Sequence, residues 1–448
     1  MANTESKKLY LVSLGCSKNL VDSEVMLGLL EKDGYRVTEE PEDADLLLVN
    51  TCGFIGSAVK EAIDEILELA RYKEVDPAKK LVVTGRLVQR YGIELEKELP
   101  EVDLFIGTNG FHNIVAHLHG EKSPIPLAHS LEQSPFLMDS SMPRKVSTPS
   151  HRAYMKITEG CINCCSYCLI PAIRGKLRSR PVPDLMAEAR RLDAEGVKEL
   201  TLVAQDLLAY GLDLGKQADI MSLLQQLLAG TAIPWIRLLY LHPARVQKDL
   251  LLLMAENPRI VPYLDIPFQH VSDRILQLMN RPYTKSQLVH LMKNIRAELP
   301  GAALRTTMMV GFPGETGSDI AEMADFLQEH HFDHLGVFAY ANEEGCRAAS
   351  FPGQVAEEVK EERLRKIMEL QAEISFAALQ KYVGRVEQVL VEGLSKESDL
   401  LLEGRTRFQA PEIDGCVYIT RGSAEPGALV DATITEAHTY DLVGELKE

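Results

Sequence analysis

Two patterns of apolar and polar residues alternate along the first 118 positions. Short, almost wholly apolar runs are separated by longer stretches in which apolar residues recur every three or four positions. The short runs are typical of buried strands and the longer stretches of amphipathic helices. Strands that alternate with helices predict a parallel sheet covered on both faces. The predicted strands are KLYLVSL (8–14), DLLLVN (45–50), KLVVTG (80–85) and DLFIGTN (103–109).

The same alternation returns after residues 119–150, which are rich in Ser, Pro and Met without periodicity and are interpreted as a linker. Residues 151–380 contain about six strand–helix units, enough for a partial or full parallel barrel. Residues 381–448 carry short apolar runs punctuated by glycine, which predict a small antiparallel barrel. The chain is therefore predicted to be an α/β protein with domains at 8–118, 151–380 and 381–448.

Length, charge and cysteine content limit the classes of protein to which this chain can belong. A chain of 448 residues is too long for one ordinary core. No run approaches the roughly 20 apolar residues of a membrane helix, and the first residues do not resemble a secretory signal. We therefore expect a cytoplasmic protein, in which eight cysteines indicate metal or redox chemistry rather than disulfides. The net charge of −17 argues against broad binding to nucleic acid.

Four of the cysteines fall within one short stretch: Cys161, Cys164, Cys165 and Cys168. Two C-x-x-C pairs could hold a structural zinc ion, but such pairs normally lie roughly a dozen or more residues apart. Adjacent Cys164 and Cys165 cannot easily both turn inward. Cys161, Cys165 and Cys168 instead form C-x3-C-x2-C. Three thiolates would leave one iron of a 4Fe–4S cube open, as catalysis requires.

This spacing resembles the signature of radical S-adenosylmethionine enzymes. The resemblance implies that the open iron binds the amino and carboxylate groups of S-adenosylmethionine. Transfer of one electron then breaks the sulfonium bond and gives a 5′-deoxyadenosyl radical. The protein positions the reactants and excludes water. AQD (204–206) follows a predicted strand at the barrel end where such sites lie. His242, Gln269 and His270 also follow strands, and either line the pocket or are satisfied core residues.

Motifs outside the barrel sharpen the resemblance to the radical S-adenosylmethionine methylthiotransferases. They span nearly the whole chain and comprise SLGCSKNLVDSE (13–24), YLDIPFQHVSDRILQLMNR (263–281), VFAYANEEG (337–345) and APEIDG (410–415). The family combines a flavodoxin-like N-terminal domain, a radical barrel and a C-terminal TRAM module. GCSKNLVDSE and APEIDG are similar to the RimO branch, which modifies an aspartate of ribosomal protein S-twelve in the small subunit.

The resemblance implies methylthiolation of the β-carbon of that aspartate, with S-adenosylmethionine as both radical source and methyl donor. It also implies an electron donor such as flavodoxin or ferredoxin, and it leaves the sulfur donor and the catalytic residues unassigned. Two alternatives stay open. One is methylthiolation of a tRNA adenosine by the same chemistry, and the other is a non-catalytic iron–sulfur or zinc-binding interaction protein.

A second 4Fe–4S cluster is implied in the N-terminal domain, on three cysteines that follow successive strands. Cys16 and Cys52 follow the first two predicted strands, and parallel strands gather such positions at one sheet edge. The third position, after KLVVTG, holds Arg86. A guanidinium does not ligate iron. The second cluster is therefore expected to be absent or labile unless another group replaces the missing thiolate.

The charge of the C-terminal module bears on its partner. Residues 381–448 contain seven Lys or Arg and thirteen Asp or Glu, a net charge of −6. Such a surface should repel a phosphate backbone and attract a basic protein. The sequence therefore predicts binding to ribosomal protein S-twelve, or to the small ribosomal subunit that displays it, and not to free tRNA.

Overall fold

The computed structural model describes residues 6–120, 136–215 and 218–447. None of the helices in these ranges combines the length and the apolar character needed to cross a membrane. The first sheet is wholly parallel and has the strand order β2-β1-β3-β4-β5, the flavodoxin order. The predicted parallel sheet is confirmed. Its strands are β1 (Lys8–Ser13), β2 (Arg36–Val37), β3 (Leu46–Thr51), β4 (Lys80–Gly85) and β5 (Leu104–Gly107).

Four helices cover this sheet, two on each face. They are α1 (Ser17–Lys32), α2 (Gly56–Val75), α3 (Arg86–Glu98) and α4 (Ile114–Leu118). Successive residues of β3 point to opposite faces, so Leu46 and Leu48 pack toward α1 while Leu47 and Val49 pack toward α2 and α3. Burying each such side chain stabilises the fold by about 1.5 to 3 kcal/mol. The all-apolar strands of the sequence are explained by this two-sided burial.

The middle of the chain forms a partial barrel of six parallel strands. Two three-stranded sheets, β10-β9-β6 and β11-β12-β13, meet at a parallel bridge between Ile236 and Ile260. In the described residues no strand pairing joins β6 to β13, so the barrel is open. The strands are β6 (Arg152–Lys156), β9 (Glu199–Val203), β10 (Trp235–Leu238), β11 (Tyr263–Asp265), β12 (Ala303–Val310) and β13 (His334–Ala339), and a short antiparallel pair, β7 (Thr158–Glu159) with β8 (Arg178–Ser179), lies beside them.

Helices follow the barrel strands as the sequence predicts. They are α5 (Ile170–Arg174), α6 (Val182–Ala194), α7 (Ile220–Gly230), α8 (Lys248–Glu256), α9 (Asp273–Leu278), α10 (Lys285–Glu298), α11 (Gly317–His330) and the long α12 (Glu357–Leu379). Within the predicted linker 119–150, residues 121–135 lie outside the described residues. The remainder is packed, because Arg144 is almost fully buried between Glu24 and Glu188 at 2.6 and 2.5 Å. The domain boundaries drawn from the sequence stay predictions.

The C-terminal strands close into a five-stranded barrel in the order β14-β15-β16-β18-β17. They are β14 (Val386–Leu394), β15 (Leu402–Thr406), β16 (Val417–Arg421), β17 (Leu429–Ala437) and β18 (Leu442–Leu446). The small barrel is confirmed, but it is not wholly antiparallel, because β16 and β18 run parallel. Such a pair joins strands that are not consecutive, which short-range turn signals do not reveal.

The partial barrel lies between the other two domains. The small C-terminal barrel packs at the amino ends of its strands, where Arg405 donates to Glu199 at 2.6 Å and Tyr263 donates to Asp414 at 2.6 Å. The N-terminal domain packs at the carboxyl ends, where the Lys18 ammonium lies 3.4 Å from the centre of the Tyr240 ring. The carboxyl ends carry the active site in barrels of parallel strands. The N-terminal sheet therefore covers that end.

A buried ionic cluster fixes the N-terminal domain on the barrel. Asp22 of α1 accepts from Lys156 of β6 and from Arg174 of α5, the latter at 2.8 Å. Glu159 of β7 accepts from the same two cations at 2.8 and 3.0 Å. None of the four side chains is more than 10% exposed. Because two acids balance two bases without solvent, loss of one member leaves a buried charge uncompensated.

Asp22→Ala should therefore lower the free energy of unfolding by about 3 to 5 kcal/mol, the usual cost of breaking a buried ion pair. The matched control is Asp64→Ala, which removes an exposed partner of Lys60 and should cost less than about 1 kcal/mol. Urea denaturation followed by circular dichroism measures both. Equal costs for the two variants would contradict a structural role for the buried cluster.

Candidate active site

The cysteine-rich stretch forms a loop between β7 and α5 at the carboxyl ends of the barrel strands. The Cys161 N–H donates to the Gly175 carbonyl at 3.2 Å, which draws the two ends of the loop together. Ser166 donates through its N–H to Met279 at 3.1 Å and through its hydroxyl to Leu278 at 2.8 Å. The loop is therefore fastened to its own base and to the end of α9.

Three of the four thiols turn away from solvent and one does not. Cys164 is exposed, whereas Cys161, Cys165 and Cys168 are partly covered. Backbone N–H groups donate to two of the covered sulfurs, from Asn163 to Cys161 and from Ile170 to Cys168, each at 3.4 Å. The structure thus separates the C-x3-C-x2-C set from the extra cysteine.

Cys161 and Cys168 resist ionisation in the absence of a bound cation, because their pKa values are raised. Burial raises the pKa of the Cys168 thiol to about 12 and also raises the pKa of Cys161. The neighbouring thiols raise both pKa values further, which shows that the three sulfurs act on one another. A metal deprotonates the thiols that it binds, so a metal centre would supply the positive charge that this loop lacks.

Beside the cysteine loop, Asp206 of the AQD segment forms mutual hydrogen bonds with Asn163 and Arg245. The Asp206 carboxylate accepts from Asn163 at 2.8 Å and from Arg245 at 2.5 Å, and Arg245 also donates to Asn163 at 3.1 Å. Both contacts use one carboxylate oxygen, and the other, Oδ1, is buried without a hydrogen-bond partner. A buried acceptor of this kind normally has a donor. It fits a ligand that presents N–H or O–H groups next to the cysteine loop.

A second cation contacts the loop from the other side. Arg281 donates to the Cys165 sulfur at 3.5 Å, to the Pro267 carbonyl at 2.8 Å and to the Tyr283 hydroxyl at 2.7 Å. The sequence did not single out Arg281, Arg245 or Asn163. Arg281 lies at the end of a motif already quoted, but no local pattern indicates that it reaches back across more than a hundred residues to Cys165.

His242, for which the sequence left pocket lining and a satisfied core position open, lies beside this site. Its ring packs edge-on against Tyr283, with ring centres 5.7 Å apart. Burial and the charges of Arg281 and Arg245 lower the pKa of His242 to about 3, so the ring is neutral at physiological pH. Its Nδ1 accepts from the Ala244 N–H, so the proton resides on Nε2, which is buried without a partner.

Gln269 and His270 have structural contacts instead. Gln269 has a positive φ of 71°, and its backbone bridges to β12 by accepting from Met309 at 2.7 Å. His270 is fully buried, and its Nδ1 accepts from the Val271 and Ser272 N–H groups at 2.9 and 3.0 Å. His270 Nε2 is buried without a hydrogen-bond partner and Gln269 is partly exposed, so whether either residue lines the pocket stays a prediction.

The N-terminal sheet edge brings together the three positions expected there. Cys16, Cys52 and Arg86 follow β1, β3 and β4, which are neighbours in the sheet. They surround Gly15: a Cβ at Gly15 would lie 3.2 Å from the Cys52 sulfur and 3.0 Å from Arg86 Nη2. Arg86 Nη2 also donates to the Cys16 sulfur at 3.5 Å. The predicted convergence is therefore present, with a guanidinium in the third position.

The Cys16 thiol differs electrostatically from the thiols of the barrel loop. Burial acts to raise its pKa, but the charges of Lys18 and Arg86 and the N–H groups at the start of α1 outweigh burial and lower the pKa to about 6. The N-terminal edge therefore holds a thiolate that is already paired with a fixed cation.

The two cysteine sets fit iron–sulfur clusters differently. Within the described part of the chain, no three His, Cys, Asp or Glu side chains converge closely enough to hold a single metal ion. Each cysteine of a cubane ligates a different iron, so its ligands stand farther apart than those of one ion. The barrel loop, with three inward thiols and an open side, suits such a cluster. The N-terminal edge does not, because Arg86 supplies no ligand there.

The two sets face each other across the domain interface. Arg174, the last residue of α5, donates to Asn19 of α1 at 3.4 Å, and Asn19 lies one turn from Cys16. The charge of Cys16 is one of the influences that raise the pKa of Arg174. The N-terminal edge and the barrel loop are therefore linked by a direct contact between α1 and α5.

Comparison with known proteins matches each domain to a described family. Residues 8–107 match the uncharacterized protein family UPF0004, residues 155–327 match the radical SAM superfamily, and residues 383–446 match the TRAM domain. A protein from Desulfotalea psychrophila named ribosomal protein uS12 methylthiotransferase RimO is 54% identical over 98% of both chains. A protein of the same name from Geotalea uraniireducens is 48% identical over the full length of both.

The chain belongs to the RimO family. It is a radical S-adenosylmethionine methylthiotransferase, as the resemblance implied, and neither the tRNA-modifying enzyme nor the non-catalytic binding protein is favoured. Among solved structures, the radical S-adenosylmethionine methyltransferase TsrM from Kitasatospora setae matches with a TM-score of 0.54 at 16% identity, covering 74% of this chain and 73% of that one. At this low identity the match supports only the fold of this RimO-family chain.

Proposed function

We propose that this chain transfers a methylthio group to the β-carbon of an aspartate in ribosomal protein uS12. The observation that carries the proposal is the cysteine loop at the carboxyl end of the barrel, which carries three partly covered thiols and whose Asn163 donates to Asp206, a carboxylate with one unpartnered oxygen. The relatives that share nearly the whole chain are named for uS12, which supports that protein as the substrate.

Cys161, Cys165 and Cys168 would hold a 4Fe–4S cluster with S-adenosylmethionine. When bound, this pair supplies one-electron cleavage of the sulfonium bond. The surrounding residues act by position. Arg281 orients Cys165, and Asp206 presents its free oxygen to a donor on the ligand. The N-terminal domain covers the barrel end and excludes water from a reactive site.

The N-terminal edge is proposed to hold no second cluster in this chain. Arg86 occupies the third position, is 5% exposed and donates to Cys16. Placing a cluster there would require the guanidinium to leave a buried position. The sequence-based expectation of an absent or labile second cluster therefore stands as part of this proposal.

The C-terminal barrel is proposed to favour the basic protein over free tRNA. Several of its cations are engaged by the rest of the chain: Lys381 pairs with Asp333 at 2.7 Å, Arg405 pairs with Glu199, and Arg407 donates to the Pro258 carbonyl. They are therefore withdrawn from contact with phosphates, whereas Asp399, Asp431 and Glu436 are exposed. A flavodoxin or ferredoxin as electron donor and a cytoplasmic location remain predictions.

Alanine at Cys161, Cys165 or Cys168 should each remove the iron of the barrel loop and abolish cleavage of S-adenosylmethionine, because a cubane cannot keep its place with two thiolates. Cys164→Ala is the matched control on the same loop and should retain both. Iron content and 5′-deoxyadenosine release under anaerobic conditions measure the outcome. Loss of iron in Cys164→Ala would show that the ligands are wrongly assigned.

The proposed activity is tested with the anaerobically reconstituted enzyme, S-adenosylmethionine, a reductant and sulfur supplied both as sulfide and as a low-molecular-weight persulfide. Small ribosomal subunits should gain a methylthio group on one aspartate of uS12, detected by peptide mass spectrometry. Bulk tRNA should gain none. Modification of tRNA adenosine with uS12 unchanged would overturn the proposed substrate.

Reversing the three exposed acids in the variant Asp399→Lys, Asp431→Lys and Glu436→Lys should slow association with uS12 about tenfold at low salt, because complementary charge speeds encounter. The matched control reverses three exposed acids of α2 (Glu61→Lys, Glu68→Lys, Glu74→Lys), which changes net charge equally and should have little effect. Surface plasmon resonance over a salt series measures both. Equal slowing in both variants would mean that net charge alone matters.

A further inference from the structure

The N-terminal edge holds a reactive sulfur with a fixed cation and no complete set of metal ligands. Arg86 is buried, its Nε has no hydrogen-bond partner, and its Nη2 reaches the Cys16 sulfur at 3.5 Å. Cys16 is only partly covered, and the neighbouring Gly15 is exposed, so a small reagent can reach the sulfur. Cys52 is buried deeper, at 7% exposure. The arrangement is that of a nucleophilic thiol whose negative charge is stabilised by the neighbouring guanidinium of Arg86.

The methylthio product contains a sulfur atom that such a nucleophile can carry. S-adenosylmethionine provides the methyl group, so the added sulfur atom must come from a separate source and be held near the substrate. A persulfide carries one extra sulfur whose negative charge a guanidinium stabilises through charge-assisted hydrogen bonds. The unpartnered Nε of Arg86 offers a donor beyond the one already directed at Cys16.

We propose that Cys16 carries the sulfur for the methylthio group as a persulfide stabilised by Arg86; this proposal rests on the proposed function. The Cys16 thiolate attacks the outer sulfur of a low-molecular-weight persulfide or polysulfide. A bond forms between Cys16 Sγ and that sulfur as the donor's S–S bond breaks. The electron pair leaves with the donor's thiolate, so the exchange is neutral in electrons and protons.

The position of Cys16 suits delivery into the barrel. Asn19, one turn along α1, is bonded by Arg174, which is the last residue of α5. Lys18, two residues from Cys16, lies against Tyr240 at the carboxyl end of β10. Cys16 therefore lies at the start of a helix that contacts the carboxyl end of the barrel directly.

The test uses the full-length protein without cluster reconstitution, treated anaerobically with glutathione persulfide, freed of excess reagent, alkylated and digested. Mass spectrometry should show the Cys16 peptide heavier by one sulfur atom. Cys16→Ser should show none, and Cys52→Ser should retain the label at Cys16. Arg86→Gln should reduce the Cys16 persulfide about tenfold, the value of a hydrogen bond to a charged group, and Arg86→Lys should restore most of it.

Arg71→Gln, on the exposed surface of α2, removes the same charge from the same domain and should leave labelling unchanged. Circular dichroism confirms that each variant is folded. Labelling spread equally over the other cysteines, or an Arg86→Gln variant labelled like the unaltered protein, would overturn the proposal.

A second measurement separates this proposal from the proposed function. The donor carries a heavy sulfur isotope, and the loaded enzyme is then offered uS12. Isotope in the methylthio group supports both. A persulfide on Cys16 with uS12 unmodified supports the carrier and defeats the proposed substrate, whereas modified uS12 without the isotope defeats the carrier alone.

Discussion

The buried ionic cluster of Asp22, Lys156, Glu159 and Arg174 is the constraint on which the site depends. Its members come from α1, β6, β7 and α5, so it ties the N-terminal sheet to the strands and loop that carry the barrel cysteines. A buried ion pair is weak evidence for added stability, but removing one partner is costly because the other charge is left buried and uncompensated. The cluster therefore favours one specific arrangement of the two domains. Because Arg174 also donates to Asn19, the cluster holds α1, which follows Cys16, against α5, which follows the cysteine loop.

The two sets then divide the chemistry by their electrostatics. In the barrel loop burial raises the pKa values of Cys161 and Cys168, so a bound metal centre would supply the positive charge that favours their thiolates. The N-terminal edge already pairs the Cys16 thiolate with Arg86, so its charge is balanced without metal. One set is suited to a redox cluster and the other to holding sulfur. The domain interface keeps the two functions adjacent.

Sequence reasoning succeeded where the information is local or follows from sheet geometry. The apolar runs predicted the strands, and the rule that parallel strands end at one edge predicted that Cys16, Cys52 and Arg86 would meet. It missed features that depend on distant parts of the chain. Arg281 reaches Cys165 across many residues, and the parallel pairing of β16 with β18 has no turn signal. The lowered pKa of His242, which the charge of Arg281 helps to cause, was likewise visible only in three dimensions.

We expect this chain to hold one cluster, on the barrel loop, and Arg86 to keep the N-terminal thiol site free of metal. The decisive measurement is iron and acid-labile sulfide per chain after anaerobic reconstitution with excess of both. The unaltered protein should contain about four of each and Arg86→Cys about eight, since each cubane holds four irons. About eight irons in the unaltered protein would contradict this expectation.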